Sequence, residues 1–198
     1  MPDTLAVAIV PDLPVDVAST LDRHVARGEF REALSLSARA YGNAIGRLCM
    51  AFVGVQSEAE ELTQETLLCA YDAFPSYRGD GSLKAFLFGI ARRVCARAVE
   101  KRVRREGLLS AVGNDDEEPV QDAQEFVLAR ERAQRMRQTL TKLRPTEREA
   151  LLLRYESELS FREIASACGC DEAAARKRVS RGLATLRGLL EGDVNENL

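Results

Sequence analysis

A stretch near the end of the chain, residues 159–190, constrains the fold most strongly. Ser160 and Glu163 form a capping-box pattern, in which each side chain satisfies a free backbone N–H at the start of a helix. Gly169 can supply a tight turn after a short helix, and Asp171 is well suited to cap the next one. The stretch therefore predicts two helices joined by a turn, which is a helix-turn-helix.

The second helix of this motif has a basic face opposite an apolar one. Its apolar stripe recurs at spacings of three and four residues: Ala175, Val179, Leu183, Leu186 and Leu190. At about 100° per residue, Lys177 and Arg181 lie almost opposite this stripe, and Arg176 and Arg178 lie on its flanks. Such a helix can enter a DNA major groove. The alternative is a solvated face, and DNA contact is favoured because capping box, turn glycine and basic face coincide.

Positive charge is concentrated in a second segment. The 198 residues carry a formal net charge of −3, which argues against a free-standing, non-specific DNA-binding protein. Between residues 84 and 105 only Glu100 opposes eight cations: Lys84, Arg92, Arg93, Arg97, Lys101, Arg102, Arg104 and Arg105. A helix of one sign repels itself unless an anion is nearby, so phosphate binding is the favoured interpretation. Tyr77 and Phe86 add aromatic surfaces near its start, where an unstacked base could lodge.

The composition reverses after this helix. Residues 106–129 contain no Lys or Arg, and their acidic residues, Gly and Pro are typical of an exposed linker. Helical periodicity lies on both sides and no strand pattern is present. We predict an all-α protein of two small helical domains joined by an acidic, flexible linker. The predicted segments are a lead-in (1–16), a first domain (17–105), the linker (106–126), a second domain (127–191) and a tail (192–198).

An earlier helix, predicted from Ser57 to Phe74, carries an acidic outer face. Ser57 with Glu60 forms a capping-box pattern, as Thr146 with Glu149 does at a later helix. The outer face holds polar residues and one apolar side chain: Glu58, Glu61, Gln64, Glu65 and Leu68. Such a face could dock a partner protein. By itself, however, it would be interpreted only as a solvated face.

Five cysteines predict neither a metal site nor a disulfide framework. Cys168 and Cys170 form a C-x-C without a second pair, and the only histidine, His24, is distant in sequence. A structural zinc site normally needs four ligands, so these are better explained as core or turn residues, with a redox role as the weaker alternative. The odd number favours a reducing compartment. The apolar run 5–10 is too short for a signal-peptide core or a membrane span.

Several motifs in order resemble a known family. AEELTQETLLCAYDAF (59–74), YRGDGSLKAFLFGIARRVCARAV (77–99), LRPTEREALLLRYESELSFREIA (143–165) and the basic helix to Leu190 are similar to bacterial sigma factors of the extracytoplasmic-function (ECF) group. These are minimal two-domain sigma factors. The resemblance covers nearly everything from about residue 20 to 190 and identifies the chain as a member of that family.

The resemblance implies three binding surfaces. The first docks on a coiled coil of the largest RNA polymerase subunit: Glu61, Leu62, Gln64, Glu65 and Leu68. The second captures and melts the −10 promoter element: Tyr77, Arg78, Lys84, Phe86, Arg92, Arg93 and Arg97. The third reads the −35 element: Arg176, Lys177, Arg178 and Arg181, with Arg162 on the DNA backbone.

The resemblance also implies partners and a compartment. The partners are core RNA polymerase, promoter DNA and an anti-sigma factor. No cofactor, metal, catalytic residue or membrane insertion is expected, because the polymerase makes the phosphodiester bonds. A cytoplasmic protein is implied, which an anti-sigma partner could hold at the membrane. Arg93 stands where the family commonly has Asn, so the family's −10 base preference does not carry over.

Two other classes of protein are open to this sequence. A conventional helix-turn-helix regulator would bind DNA tightly without polymerase, but it leaves the basic helix 84–105 unexplained. An enzyme acting on nucleic acid would need a carboxylate cluster, a catalytic His or a phosphate-cradling Gly loop, and the sequence has none of these patterns. The sigma factor is the favoured interpretation.

Overall fold

The structure, a computed structural model, describes the backbone of residues 16–109 and 124–195 and the side chains of residues 16–105 and 131–191. Within those ranges the regular structure is helical and contains no strand, so the predicted all-α class is confirmed. The helices are α1 (Val17–Ala26), α2 (Phe30–Val53), α3 (Gln56–Ala73), α4 (Leu83–Leu109), α5 (Gln124–Thr141), α6 (Pro145–Tyr155), α7 (Phe161–Cys168) and α8 (Glu172–Asn195), with a 3₁₀ turn at Phe74–Ser76.

Local signals explain several helix ends. Ser82 Oγ accepts the Ala85 N–H at 3.1 Å at the start of α4. Both bonds of the predicted Ser160–Glu163 capping box are present at α7. Gly169, with φ +63°, ends α7 in the left-handed conformation that Gly adopts without strain. Asp171 Oδ1 then accepts the Ala174 N–H at 2.6 Å, so the predicted helix-turn-helix is confirmed in its local geometry.

Two of the predicted capping boxes are wrong. α3 begins at Gln56, and no side chain caps it; Gln56 Nε2 instead donates to Glu60 Oε1 at 2.6 Å. α6 begins with Pro145, which has no backbone N–H and so needs no capping acceptor at that position. Glu149 therefore does not cap α6, and its carboxylate pairs instead with Arg92 of α4.

The predicted apolar stripe of α8 is also displaced. Leu183 and Leu190 are each 38% exposed, whereas Gly182 is buried. A Cβ at Gly182 would lie 2.8 Å from Leu151 Cδ1, so the missing side chain is what allows α6 to pack closely there. The packed stripe is consequently Ala175, Val179, Gly182, Leu186 and Leu189.

The helices form two groups that share one core. In the first group α2 packs on α3, and α4 packs on both; in the second, α8 packs on α6 and α7. The largest fully buried side chains come from both groups and include Phe74, Phe88, Leu153, Leu159 and Ile164. α7 packs against α4 and α6 against α2, so the groups touch through the helix-turn-helix.

The predicted domain boundaries stay predictions. α4 continues to Leu109 and α5 begins at Gln124, so both ends of the predicted linker are helical. The middle of that linker, the lead-in before residue 16 and the last three residues lie outside the described residues. None of the helices described is long and apolar enough to cross a membrane.

Candidate nucleic-acid and partner-protein interfaces

The acidic face of α3 lies beside the basic side of α4. A groove between the two helices is lined by Glu58, Glu61 and Glu65 from α3 and by Arg97, Lys101, Arg102 and Arg105 from α4. Arg97 Nη2 lies 3.4 Å from Glu65 Oε1, and both side chains are largely exposed. Exposed pairs of this kind contribute little to stability. The carboxylates therefore remain available to another protein.

Four of the five predicted polymerase-binding residues are on this surface. Glu61, Gln64 and Glu65 are exposed, and Leu68 is 63% exposed although it is apolar. Leu62 is the exception, at 6% exposure. It lies on the inward side of α3 with Ala59 and packs in the core. Leu62 lines the groove with Glu61 and Glu65 although it is largely buried, and its assignment to polymerase binding stays a prediction.

An aromatic pocket lies on the loop before α4. The rings of Tyr77 and Phe86 are 5.0 Å apart between centroids, and Phe86 is 6.5 Å from Phe74. The Tyr77 hydroxyl donates to the Gly81 carbonyl at 2.6 Å, which fixes the loop around the turn at Gly79. Burial, together with the charges of Asp22 and Asp80, raises the pKa of Tyr77, so the hydroxyl stays protonated and keeps this bond.

Cations border the aromatic pocket. Arg78 and Arg93 line it together with Tyr77 and Phe86. Arg93 and Arg97 are exposed one helical turn apart along α4, and Lys84 is half-buried. A flat apolar surface beside guanidinium groups suits an unstacked base and its phosphates. The structure thus brings together most of the residues assigned to the −10 element.

Arg92 lies beside Arg93 and Arg97 but is less exposed than either. Its side chain is 19% exposed, and Nη1 donates to Glu149 Oε2 of α6 at 2.7 Å. The guanidinium is therefore occupied by a carboxylate of the second helix group. This pairing joins residues 57 positions apart, so local sequence patterns could not reveal it.

The basic residues of α8 fall into two classes. Lys177 and Arg181 are exposed on the side away from the packed stripe, Arg178 is half-buried, and Arg162 is exposed on α7. Arg176 is held differently, since its guanidinium lies 4.6 Å from the centre of the Phe161 ring and pairs with Glu172. Phe161 thus contacts a residue predicted to read the −35 element, and no local pattern in the sequence indicated that contact.

The Phe161 ring contacts a second guanidinium group. Arg154 Cζ of α6 lies 4.9 Å from the ring centre, and Arg154 Nη1 donates to the Leu159 carbonyl at 2.8 Å. One ring therefore connects side chains of α6, α7 and α8. Cation–π contacts of this kind hold the start of α8, and with it Arg176, in a defined position.

The cysteines form no candidate metal site. Cys95 Sγ lies 3.5 Å from Cys49 Sγ, and both residues are buried. The hydrogen bond to Cys49, reinforced by burial, raises the pKa of Cys95, and burial raises that of Cys168, so both are held in the protonated thiol form. No group of three or more His, Cys, Asp and Glu residues that could hold a metal ion occurs in the part of the chain that the structure describes.

Comparison with known proteins assigns both helix groups. Residues 38–105 match the sigma-70 region 2 family, and residues 133–186 match the sigma-70 region 4 family. The ECF RNA polymerase sigma factor EcfG of Rhodopseudomonas palustris is 34% identical over 149 residues, covering 73% of this chain and 77% of EcfG.

Two solved structures share the fold. The sigma factor RpoE of Bartonella quintana, solved in complex with the anti-sigma factor NepR, has a TM-score of 0.58 at 27% identity, over 82% of this chain and 97% of RpoE. CnrH, solved in complex with the cytosolic domain of CnrY, has a TM-score of 0.67 at 22% identity, over 90% of this chain and 99% of CnrH. The sequence matches cover both regions in the order expected. The chain therefore belongs to the ECF family of RNA polymerase sigma factors.

Proposed function

We propose that this sigma factor binds core RNA polymerase through α3, holds the −10 element at α4 and the loop before it, and reads the −35 element with α8. The aromatic pocket of Tyr77 and Phe86 beside Arg93 carries this proposal. An ordinary helical bundle has no need of half-buried aromatic rings beside an exposed arginine such as Arg93. A protein that holds an unstacked base and its phosphates needs both.

The polymerase-binding surface consists of Glu61, Gln64, Glu65 and Leu68. An exposed leucine surrounded by carboxylates fits a protein partner better than water alone, since the apolar side chain is buried only on binding. We infer that the partner is the coiled coil of the largest polymerase subunit, whose contact with this motif is implied by the family. Charge complementarity predicts basic residues opposite Glu61 and Glu65.

The two DNA-binding surfaces have different tasks. At the −10 element, Tyr77 and Phe86 would hold a base flipped from the non-template strand while Arg78, Lys84, Arg93 and Arg97 bind phosphates. At the −35 element, Lys177 and Arg181 point away from the packed face of α8 and would enter the major groove. Arg162 and Arg176 would contact the backbone beside it.

The absence of catalysis, the compartment and the inhibitor are proposed from these three binding surfaces. We propose that the chain contributes no catalytic group, because the polymerase performs the chemistry, and that it works in the cytoplasm where polymerase and DNA are found. An anti-sigma factor is the proposed inhibitor, as the RpoE–NepR complex supports for a related protein. A conventional regulator is the alternative, and no observation favours it.

Run-off transcription on genomic fragments tests the proposal. Purified core RNA polymerase of the source bacterium is assayed with and without the full chain, with E61K/E65K, and with the control E131K/E158K. Glu131 lies on α5 and Glu158 in the loop before α7, and both are exposed, so the control makes the same charge change away from α3. New transcription starts that E61K/E65K abolishes and the control retains are expected. Tight binding of a specific duplex without polymerase, together with no new start, would contradict the proposal.

A further inference from the structure

Two cysteines from different helices face each other inside the first helix group. Cys49 lies on α2 and Cys95 on α4, and both are fully buried. Their sulfur atoms are 3.5 Å apart, and Cys95 is the hydrogen-bond donor. A disulfide bond is about 2.05 Å long, so the two sulfurs would have to approach each other by about 1.5 Å. Small movements of the two side chains and their helices can close a gap of this size.

The two thiols differ in how readily they ionise. The hydrogen bond from Cys95 lowers the pKa of Cys49 against the opposing effect of burial, and the Thr63 side chain acts in the same direction. The same hydrogen bond, together with burial, raises the pKa of Cys95. Cys49 is therefore the better nucleophile of the two, because the thiolate is the reactive form of cysteine. Cys95 keeps its proton and lies in the position of a resolving thiol beside it.

A surface groove approaches the buried pair. It lies between α2 and α3, has a volume of about 700 Å³, and is lined by Gly46, Met50 and Thr63 among others. Thr63 also adjoins the Cys49 thiol. Cys49 consequently lies close behind this groove, and a small uncharged oxidant such as hydrogen peroxide has a short path to its sulfur.

We propose that Cys49 and Cys95 form a site of reversible oxidation, at which a hydroperoxide converts the two thiols into a disulfide between α2 and α4. The Cys49 thiolate attacks one peroxide oxygen, the O–O bond breaks, and hydroxide leaves while the sulfur becomes a sulfenic acid. Cys95 then attacks that sulfur, and its proton leaves with the sulfenic hydroxyl as water. With hydrogen peroxide, two thiols and one peroxide give one disulfide and two waters. A dithiol reductant reverses the reaction by thiol–disulfide exchange.

The disulfide would close a loop that contains much of the first helix group. Residues 50–94 lie between the two cysteines and include all of α3 and the loop before α4. Such a cross-link stabilises a fold mainly by restricting the unfolded chain, and more strongly for a longer loop. In a reducing compartment the pair stays as thiols, so the cross-link forms only on exposure to an oxidant. It would form whether or not the proposed binding surfaces are assigned correctly.

Peptide mapping of the oxidised full chain tests this site. The reduced protein is treated with hydrogen peroxide, the remaining thiols are alkylated, and the chain is cleaved after Lys, Arg and Glu. The fragments separate the pair from the other cysteines: 48–58 carries Cys49, 94–97 carries Cys95, 66–78 carries Cys69, and 164–172 carries Cys168 and Cys170. A sample oxidised in urea shows which pairs form when the fold does not hold the cysteines in place.

Fragments 48–58 and 94–97 should be linked in the native chain, and dithiothreitol should separate them. C49A and C95A should each abolish the link, whereas C69A, which removes a cysteine outside the pair, should retain it. Oxidation should raise the melting temperature of the wild type by about 4 °C or more and leave that of C49A unchanged. Circular dichroism measures the melting and shows that each variant is folded.

Two results would overturn the inference. One is that the link between 48–58 and 94–97 is no more frequent in the native chain than in the chain oxidised in urea. The other is that the main disulfide of the native chain joins other cysteines. Because the wild-type map needs no substitution, both results can be obtained even if C49A or C95A fails to fold. A linked chain whose melting temperature does not rise would refute the proposed effect of the cross-link on the fold.

Discussion

Phe161 offers the clearest test of how the −35 helix is held. Its ring lies 4.6 Å from the Arg176 guanidinium and 4.9 Å from that of Arg154. Each contact contributes about 0.5–1 kcal/mol when partly exposed, so the two together contribute about 1–2 kcal/mol. The ion pair of Arg176 with Glu172 on the same helix contributes less, about 0.3–0.5 kcal/mol. The ring is therefore the main restraint on Arg176.

Leucine at this position keeps most of the apolar volume and removes the ring. We expect F161L to lower the free energy of unfolding by about 1–2 kcal/mol, which corresponds to a fall of about 2–8 °C in melting temperature for a chain of this length. Urea denaturation followed by circular dichroism measures the change. A shifted midpoint with an unchanged slope would assign it to stability alone.

A double-mutant cycle separates the ring contact from general packing. F161L and R176M are combined, and F161L with R187M is the control, because Arg187 is exposed farther along α8. We expect a coupling of about 0.5–1 kcal/mol between Phe161 and Arg176. For the control pair it should fall within the additive limit of about 0.3–0.5 kcal/mol. A coupling for Arg176 no larger than that of the control would refute the reasoning.

Three further predictions follow from single positions. L68D should weaken binding to core polymerase by about 10-fold or more, as loss of an apolar anchor does. Its melting temperature should stay unchanged because Leu68 is exposed. The affinity is measured by binding the variant to surface-immobilised core polymerase. G182A should destabilise the fold by about 1–3 kcal/mol in thermal melts, because the new Cβ would lie 2.8 Å from Leu151 Cδ1. The pKa of Glu163 is lowered in the folded chain, so its stabilising effect is present above its ordinary value of 4.5 and is lost as pH falls through the lower folded value. Melting temperatures of E163Q should therefore fall less steeply than those of the wild type as the solution is acidified below that pH, and parallel curves would contradict this assignment.

Local chemistry made much of the fold predictable. Ser160, Gly169 and Asp171 act on backbone groups within four residues, and each predicted helix end there is confirmed. The same capping pattern failed at Ser57 and Thr146, because it indicates only that the two side chains could bond to backbone N–H groups if a helix began there. At α6 a proline begins the helix and the glutamate of the pattern has a stronger partner in Arg92.

Contacts between segments far apart in the sequence could not be predicted from local patterns. Gly182 replaces Leu183 in the packed stripe because Leu151 of another helix approaches it. Arg92 is assigned correctly to a cationic helix, but its partner comes from 57 residues away. Phe161 fits an apolar face equally well whether or not two guanidinium groups lie against it. In each case the local pattern is satisfied by several packings, and only tertiary contact selects one.

The net charge and the position of the cations affect how strongly the chain is attracted to DNA. A net charge of −3 weakens non-specific attraction to DNA over the whole protein, but it cannot by itself neutralise eight cations gathered on α4. Glu149 of α6 acts locally, at hydrogen-bond distance from Arg92, where screening by salt is weak. Two weak DNA-binding surfaces carried by one chain would still hold a promoter tightly, because binding of the first raises the effective concentration of the second. Neither surface need then bind DNA strongly alone.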